Sequence, residues 1–173
     1  METDVAIIIA IFAVIACITF YTIGVYSKLK LYENKIKVKW DDVESLINEK
    51  IQILSKSIGF LQGYIKEEEM VYKDMEIIID NYNKLNNVND RINEYSKIDD
   101  AFYALYTIGD DNAKLKEDIE YNMLKDDYDK INAKIDYSKE FYNNEVGEFN
   151  NITGFIPNIV KKVFKLYNYN VFR

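Results

Sequence analysis

The feature that most constrains this chain is an uncharged run near its start, Val5–Ser27. Its 23 residues contain no Asp, Glu, Lys or Arg, and about 20 apolar residues in a helix are enough to cross a bilayer core. A single segment in lipid must be helical, because only a helix or a closed barrel pairs all of its backbone polar groups there. We therefore expect a transmembrane helix over residues 5–27.

Two other interpretations of this run are a cleaved signal peptide and a buried core helix. A signal peptide starts with basic residues and has a shorter apolar stretch, whereas residues 1–4 carry two acids and no Lys or Arg. Val14–Cys17 loosely resembles a lipoprotein processing site at which Cys17 would be acylated. Cleavage there would discard about half of the span, so we expect Cys17 to be a small apolar residue of the membrane helix.

The charges that flank the run predict its orientation. No Lys or Arg precedes it, and a lysine-rich segment follows it. Because Lys/Arg-rich flanks stay in the cytoplasm, we expect residues 1–4 to be a short extracellular N-terminus and the large C-terminal part to be cytoplasmic. The membrane-flanking basic residues are Lys28, Lys30, Lys35, Lys37 and Lys39.

Charge is distributed unevenly along a chain whose net charge is −7. The segments 27–39 and 161–173 each carry a net charge of +4, and residues 40–160 between them carry −13. A nucleic-acid-binding domain usually has a basic body. The sequence therefore argues against nucleic acid as a partner.

The strongest helical periodicity covers residues 121–152. Apolar or aromatic residues recur there at steps of three and four, with Ser138 and Glu145 as the polar exceptions. This stripe predicts one long helix with a buried seam. Capping residues predict its start near residues 110–112, and Gly154 predicts its end.

A second apolar stripe runs from Ile36 to Ile65 and follows the membrane segment without a helix breaker. One helix is therefore expected to continue from the lipid into the domain. Trp40, on this stripe, is expected to pack inside the domain. Two shorter helices are predicted over residues 68–83 and 89–108, with a polar turn between them.

These patterns predict an all-α protein with an N-terminal transmembrane helix followed by an antiparallel four-helix bundle, residues 28–155, with long first and last helices. The fourth helix should then return toward the membrane. The basic aromatic tail, residues 156–173, would end near anionic lipid, or it would pack on the end of the bundle. The candidate lipid-surface residues are Lys161, Lys162, Phe164, Lys165, Tyr167, Phe172 and Arg173.

Several short motifs occur in an order typical of one family. Behind the apolar anchor come Tyr26-Ser27-Lys28-Leu29, Asn34, Trp40-Asp41-Asp42-Val43, Leu46–Leu54, Ile58, Gly63-Tyr64 and Glu67-Glu68. Later come Lys134-Ile135, Ser138-Lys139, Tyr142-Asn143, Val146, Phe149-Asn150, Ile152, Phe155, Asn158-Ile159-Val160 and Val171-Phe172. In this order and spacing, the chain resembles the LemA family of bacterial membrane-anchored proteins over almost its whole length.

The resemblance implies a long four-helix bundle held at the cytoplasmic face of a bacterial cell membrane. It does not imply a particular activity, because no enzymatic reaction is established for the family. The chain departs from the family pattern at three positions. Ser55 replaces a frequent Pro, Ser57 replaces a Leu and Glu67 replaces a common His. A role of those family positions in binding does not carry over here.

The residues needed for common catalytic chemistry are missing from the sequence. It contains no histidine, and its one cysteine lies in the apolar run, which argues against Ser-His or Cys-His catalysis and most zinc sites. It also lacks glycine-rich phosphate-binding motifs. Acidic clusters at 67–69, 99–100 and 126–127 are expected to be solvated rather than to bind a cation. We predict no enzyme, no cofactor, no metal site and no small-molecule substrate.

Three functions are compatible with these observations. The first is a non-enzymatic scaffold at the membrane that binds an unknown protein partner or self-associates. The second is a membrane-surface or envelope organiser that binds anionic lipid through the basic tail. The third is an enzyme that uses carboxylates and tyrosines. It is the weakest hypothesis, because no pair of acids stands out from the acidic background.

Overall fold

The computed structural model describes residues 2–66 and 68–173, which are almost entirely helical and contain no strand. The side chains of residues 2–4, 159 and 163 are not described. The expectation of an all-α fold with a long apolar first helix is confirmed. The helices are α1 (Glu2–Tyr64), α2 (Glu69–Asn83), α3 (Val88–Asp110), α4 (Ala113–Lys116), α5 (Ile119–Gly154) and α6 (Asn158–Val163).

Helix α1 is continuous over 63 residues, as its unbroken pattern predicts. Its first part is exposed on all sides, with an 18-residue window of mean hydropathy 2.7 of which none is buried. From Leu29 onward one stripe of α1 is buried, and Trp40 is on it with 3% exposure. Within the described residues, α1 is the one helix long and apolar enough to cross a membrane.

The prediction for the long C-terminal helix is right about its end and wrong about its start. Helix α5 ends at Gly154 but begins at Ile119, where the Asp118 carboxylate accepts the N–H groups of Glu120 and Tyr121 at 2.8 and 3.1 Å. Asn112 caps the separate one-turn helix α4 instead. The two competing N-cap residues, Asn112 and Asp118, lie six positions apart, and the later one, with its two hydrogen bonds, starts the long helix.

The buried seam of α5 also differs from the predicted stripe near its end. Val146 and Thr153 are fully buried, whereas Glu145 and Ile152 are only half-buried. A strict 3.5-residue repeat drifts by about 20° per heptad against a straight helix of 3.6 residues per turn. Over the roughly four heptads from Tyr121 to Ile152 the drift reaches about 80–90°, close to the ~100° between successive helical residues, so the buried face moves on by one residue.

The two middle helices begin and end within two residues of their predicted limits. Asn87 caps α3 by accepting the N–H groups of Asn89 and Asp90. Arg91 on α3 forms an ion pair with Glu44 on α1 and donates from Nε to the Leu85 carbonyl at 2.7 Å. These contacts join α3 both to α1 and to the α2–α3 turn.

Helix α1 makes its most extensive contacts with α5, and the partners follow opposite orders along the two helices. Lys35 pairs with Glu145 at 3.5 Å, and the ring centroid of Trp40 is 5.6 Å from that of Tyr142. Further along α1, Lys50 donates to Asn132 at 2.6 Å, and Tyr64 donates to Asp118 at 3.1 Å.

Candidate functional site

The chain turns sharply after α5 and reaches the exit of the apolar segment of α1. The Phe164 ring centroid is 5.6 Å from that of Tyr26. Together the two parts of the chain enclose an open apolar groove of about 470 Å³. We call it the exit groove; its lining includes Tyr21, Val25, Leu29, Phe155, Val160 and Leu166.

The five lysines that follow the apolar segment lie on α1 in varied surroundings. Lys30 pairs with Glu33 at 2.6 Å, Lys35 with Glu145 at 3.5 Å, and Lys39 with Asp42 at 3.4 Å. Lys28 and Lys37 are exposed. Part of the positive charge at this flank is therefore offset by neighbouring carboxylates.

The structure divides the predicted lipid-surface tail into two parts. Lys162, Phe164, Lys165 and Tyr167 are exposed and Lys161 is half-buried, all beside the exit groove or just after it. Phe172 is only 2% exposed and packs against Trp40, with the exposed Arg173 next to it. The prediction that Phe172 faces lipid is therefore wrong, because the chain folds back along α5 and buries this ring.

Residues 167–173, here called the C-terminal strap, are held by side chains rather than by a regular ladder. The Asn150 amide donates to the Tyr169 carbonyl at 2.8 Å and accepts the Tyr169 N–H at 3.2 Å. Asn143 does the same with Phe172, at 2.7 and 2.8 Å. The groove between α1, α3 and α5 that holds this segment is called the strap groove.

The end of the strap inserts an aromatic ring into a pocket built from three helices. The Phe172 centroid is 4.8 Å from that of Tyr95, edge to face, and 6.1 Å from that of Trp40. The ammonium of Lys139 lies 4.4 Å from the same centroid, within the range of a cation–π contact. Tyr142 completes the pocket through its own contact with Trp40.

A fully buried lysine lies at the centre of the helical domain. The Lys50 ammonium donates to the Tyr95 hydroxyl at 2.8 Å, to the Asn132 carbonyl oxygen at 2.6 Å and to the Asp99 carboxylate. Burial lowers the pKa of Lys50, and the hydrogen bond and charge of Asp99 partly offset that effect. Because Lys50 has 0% exposure, its amine is committed to this network and is not open to a substrate.

Sequence reasoning missed Lys50, although a signal was present. Lys50 lies at helical spacing on the α1 stripe, three residues after Ile47 and four before Leu54. Ile51 occupies the adjacent position on the same stripe, and both side chains are buried. A lysine at such a position predicts a buried ammonium that needs polar partners from neighbouring helices.

The acidic clusters do not form a metal site in the described part of the chain. No group of three or more His, Cys, Asp or Glu residues is placed there to hold an ion. Asp99 is engaged with Lys50, and Asp127 is 3.7 Å from Lys130. Glu67, part of one cluster and of one family difference, lies outside the described residues.

The other two positions that differ from the family pattern, Ser55 and Ser57, lie within α1. The Ser55 hydroxyl donates to the Ile51 carbonyl at 3.0 Å inside an uninterrupted helix, and Ser57 is buried. The helix therefore continues without the backbone disruption that a proline at position 55 would cause. Cys17 is exposed on the apolar part of α1.

The fold and the site define a class of all-helical proteins in which an apolar first helix continues into the domain and the C-terminus folds back onto it. The model of the LemA family matches residues 39–173. The match covers more than half of the chain and includes the strap, so the chain belongs to the LemA family. No curated protein matches this chain.

Proposed function

We propose that this chain is a single-pass protein of the bacterial cell membrane whose helical domain acts as a non-enzymatic scaffold or protein-interaction module. In this proposal residues 5–27 span the bilayer, residues 28–155 form the cytoplasmic domain, and residues 1–4 are outside. It needs no cofactor or small-molecule substrate, and nucleic acid is not a partner. Its partner is a protein, including a second copy of the chain.

The arrangement of the helices supports an antiparallel four-helix bundle of α1, α2, α3 and α5. The partners of α1 on α5 run from Glu145 through Tyr142 and Asn132 to Asp118 as α1 proceeds from Lys35 to Tyr64. Opposite order along two packed helices is the geometry of an antiparallel pair. Since α1 leaves the membrane, an antiparallel α5 ends on the membrane side of the bundle.

The single observation that carries the proposal is the continuity of α1. One helix includes both the exposed apolar segment and the buried stripe from Leu29 to Leu61. A bundle built on that helix is held rigidly at the membrane, which is what a scaffold requires. The lysines at residues 28–39 support a cytoplasmic domain through the positive-inside rule.

Exposed apolar residues on the domain support protein binding. Tyr103 is 78% exposed on α3, and Tyr137 and Phe141 on α5 form an exposed aromatic pair with centroids 4.8 Å apart. Aromatic residues are enriched in protein interfaces. The lysine best placed for chemistry, Lys50, is buried and occupied, which favours a binding role over an enzymatic one.

In-cell photo-crosslinking tests the scaffold role. A photoreactive residue at Tyr137 or Tyr103 should capture the same protein partner, or a second copy, upon irradiation. The same residue at Asn144, a polar exposed position of α5, is the matched control. Recovery of the uncrosslinked chain alone from both aromatic positions would contradict the proposal.

The alternative function is that of a membrane-surface organiser that binds anionic lipid near the exit groove. The apolar lining of the groove and the adjacent Lys161, Lys162 and Lys165 favour it. Replacing the three lysines with glutamine should then weaken salt-sensitive binding of the chain to vesicles that contain anionic lipid. Equal binding of the variant and the parent protein at all salt concentrations would argue against this alternative.

A further inference from the structure

The strap groove holds the strap mainly through its backbone. Asn150 and Asn143 each both donate to and accept from one strap residue, Tyr169 and Phe172 respectively. From the facing helix, the Asn89 side chain accepts the N–H of Asn170 at 2.8 Å and donates to the Asn168 carbonyl at 3.4 Å. The Tyr142 hydroxyl donates to the Asn170 carbonyl at 3.2 Å.

The spacing of the two asparagines on α5 matches the repeat of an extended chain. Asn143 and Asn150 are seven residues apart, which is about 10.5 Å along a helix at 1.5 Å per residue. Tyr169 and Phe172 are three residues apart, which is about 10 Å in extended backbone. The groove is therefore in register with an extended segment that runs opposite to α5.

Specificity in the groove comes from the Phe172 pocket. Main-chain hydrogen bonds hold an extended peptide of any sequence, while pockets for particular side chains select among peptides. Here the pocket takes one large aromatic ring, bounded by Tyr95, Trp40 and the Lys139 ammonium. The groove therefore fits an extended segment that presents one aromatic residue to this pocket.

The connection between α6 and the strap, residues 164–166, is short, with Phe164 and Lys165 exposed and Leu166 buried at the exit groove. Lys165 has a φ of 53°, the one positive value of a non-glycine residue in the described ranges. A side-chain-bearing residue pays a conformational cost in this region. Tyr167, just after it, is 75% exposed. The hydrogen bonds between strap backbone and groove do not depend on which chain the strap belongs to.

We propose that the strap groove is a peptide-binding site whose occupant in trans is the C-terminal strap of a second copy of this chain. Two anchored chains that exchange straps are joined into a dimer. In the closed form, the strap of each chain lies in the groove of the same chain. Exchange of an identical element reuses every contact of the closed form, so it carries a low energetic cost. Confinement to one membrane raises the effective concentration of the second strap. This inference rests on the interaction role proposed above and specifies its partner.

Two complementary variants of the full chain test the proposal. Phe172→Ala removes the ring from the strap but keeps an intact groove. The double variant Asn143→Ala/Asn150→Ala keeps an intact strap but disables the groove. Mixed in detergent, the two should form a heterodimer, measured by energy transfer between labelled chains, with at least tenfold more association than either variant alone.

The matched control pair is Asn144→Ala mixed with Tyr167→Ala, which replace exposed residues of α5 and of the strap. This pair should associate no more than the parent protein does. Circular dichroism checks that each variant remains helical. Where Phe172→Ala unfolds the chain, Phe172→Leu replaces it, because leucine keeps an apolar side chain in the pocket but loses the aromatic contacts.

A second measurement uses a fluorescent synthetic peptide of residues 166–173. It should bind the Phe172→Ala chain at least tenfold more tightly than the parent chain, whose own strap competes, and the addition of Asn143→Ala should abolish binding. Equal affinity for an unrelated extended peptide, or peptide binding without a heterodimer, would overturn strap exchange. Capture of another protein by photo-crosslinking would still support the scaffold role, so the two failures are distinguishable.

Discussion

The side-chain amide of Asn143 pairs with both backbone polar groups of Phe172, donating to its carbonyl at 2.7 Å and accepting its N–H at 2.8 Å. A side-chain amide is neutral and carries both a donor and an acceptor. It can therefore take the place of a neighbouring strand for one residue of an extended chain. This pair and the equivalent Asn150–Tyr169 pair fix the register of the strap on α5.

Asn143→Ala should destabilise the protein, because it removes two hydrogen bonds and leaves the Phe172 backbone groups without partners in a half-buried site. The expected loss is about 1–3 kcal/mol of unfolding free energy, measured by urea titration. Asn144→Ala, the exposed neighbour, should change it by less than about 0.5 kcal/mol. Equal effects of the two substitutions would contradict the strap contacts.

Phe172→Ala should loosen the strap and expose the indole of Trp40, since the two rings are in contact. Trp40 is the single tryptophan of the chain, so its fluorescence emission reports this pocket directly and should shift to longer wavelength. The stability loss has an upper limit of about 3–5 kcal/mol, the usual cost of truncating a buried aromatic ring. Phe155→Ala, at a position that is 86% exposed, should leave both the emission and the stability unchanged.

Gly109→Ala should destabilise the protein because the new methyl group has no space. A Cβ at this position would lie 2.4 Å from the Tyr121 hydroxyl oxygen and 2.7 Å from the ring carbon that carries it. That hydroxyl is held by Asp110 at 2.9 Å and by the Tyr106 carbonyl at 3.2 Å, so it cannot move freely. Overpacking of this kind costs about 1–3 kcal/mol.

Gly147→Ala is the matched control for that substitution. Gly147 is exposed within α5, and a Cβ there meets no atom within 4 Å. Alanine is favoured over glycine inside a helix by about 0.5–1 kcal/mol, so this variant should be more stable than the parent. Thermal unfolding of both variants checks the signs, and a stabilising Gly109→Ala would refute the packing argument.

Periodicity predicted α1, α2, α3 and most of α5, because each is at least 15 residues long and buries one apolar face, whereas the short helices α4 and α6 were not predicted. The continuity of α1 and the end of α5 at Gly154 follow from local pattern and capping chemistry. The start of α5 could not be predicted as securely, because Asn112 and Asp118 are both good capping residues. The choice between them depends on the capping and packing that each achieves in the folded chain.

The strap groove was beyond prediction from sequence alone. Asparagines such as Asn143 and Asn150 are abundant along this chain, and their type does not reveal which of them face an extended segment. The sequence neighbours of Phe172 are basic and aromatic, which predicts a lipid surface. Its burial depends on Trp40 and Tyr95, which are more than 70 residues away in the sequence.

Lys50→Met should remove a distinct pH dependence of stability. Burial holds the pKa of Lys50 below its ordinary value of 10.5. At a pH between the lowered pKa of the folded state and 10.5, the unfolded chain binds more protons at this position than the folded chain does. Unfolding free energy therefore rises with pH through that window, by at most about 1.4 kcal/mol per pH unit for one proton.

Comparison of variants separates this effect from that of the buried tyrosines. Burial raises the pKa of Tyr95 and of Tyr142 above 10, so above pH 10 the unfolded chain ionises first and both proteins lose stability. The difference in unfolding free energy between the parent protein and Lys50→Met should therefore be constant at a pH well below the lowered pKa of Lys50. As the pH approaches 10, the parent protein should gain stability relative to the variant. Urea titrations between pH 7 and 10 measure it, with Lys56→Met, at an exposed position of α1, as the control. A curve for Lys50→Met that runs parallel to that of the parent protein over this pH range would contradict the buried network.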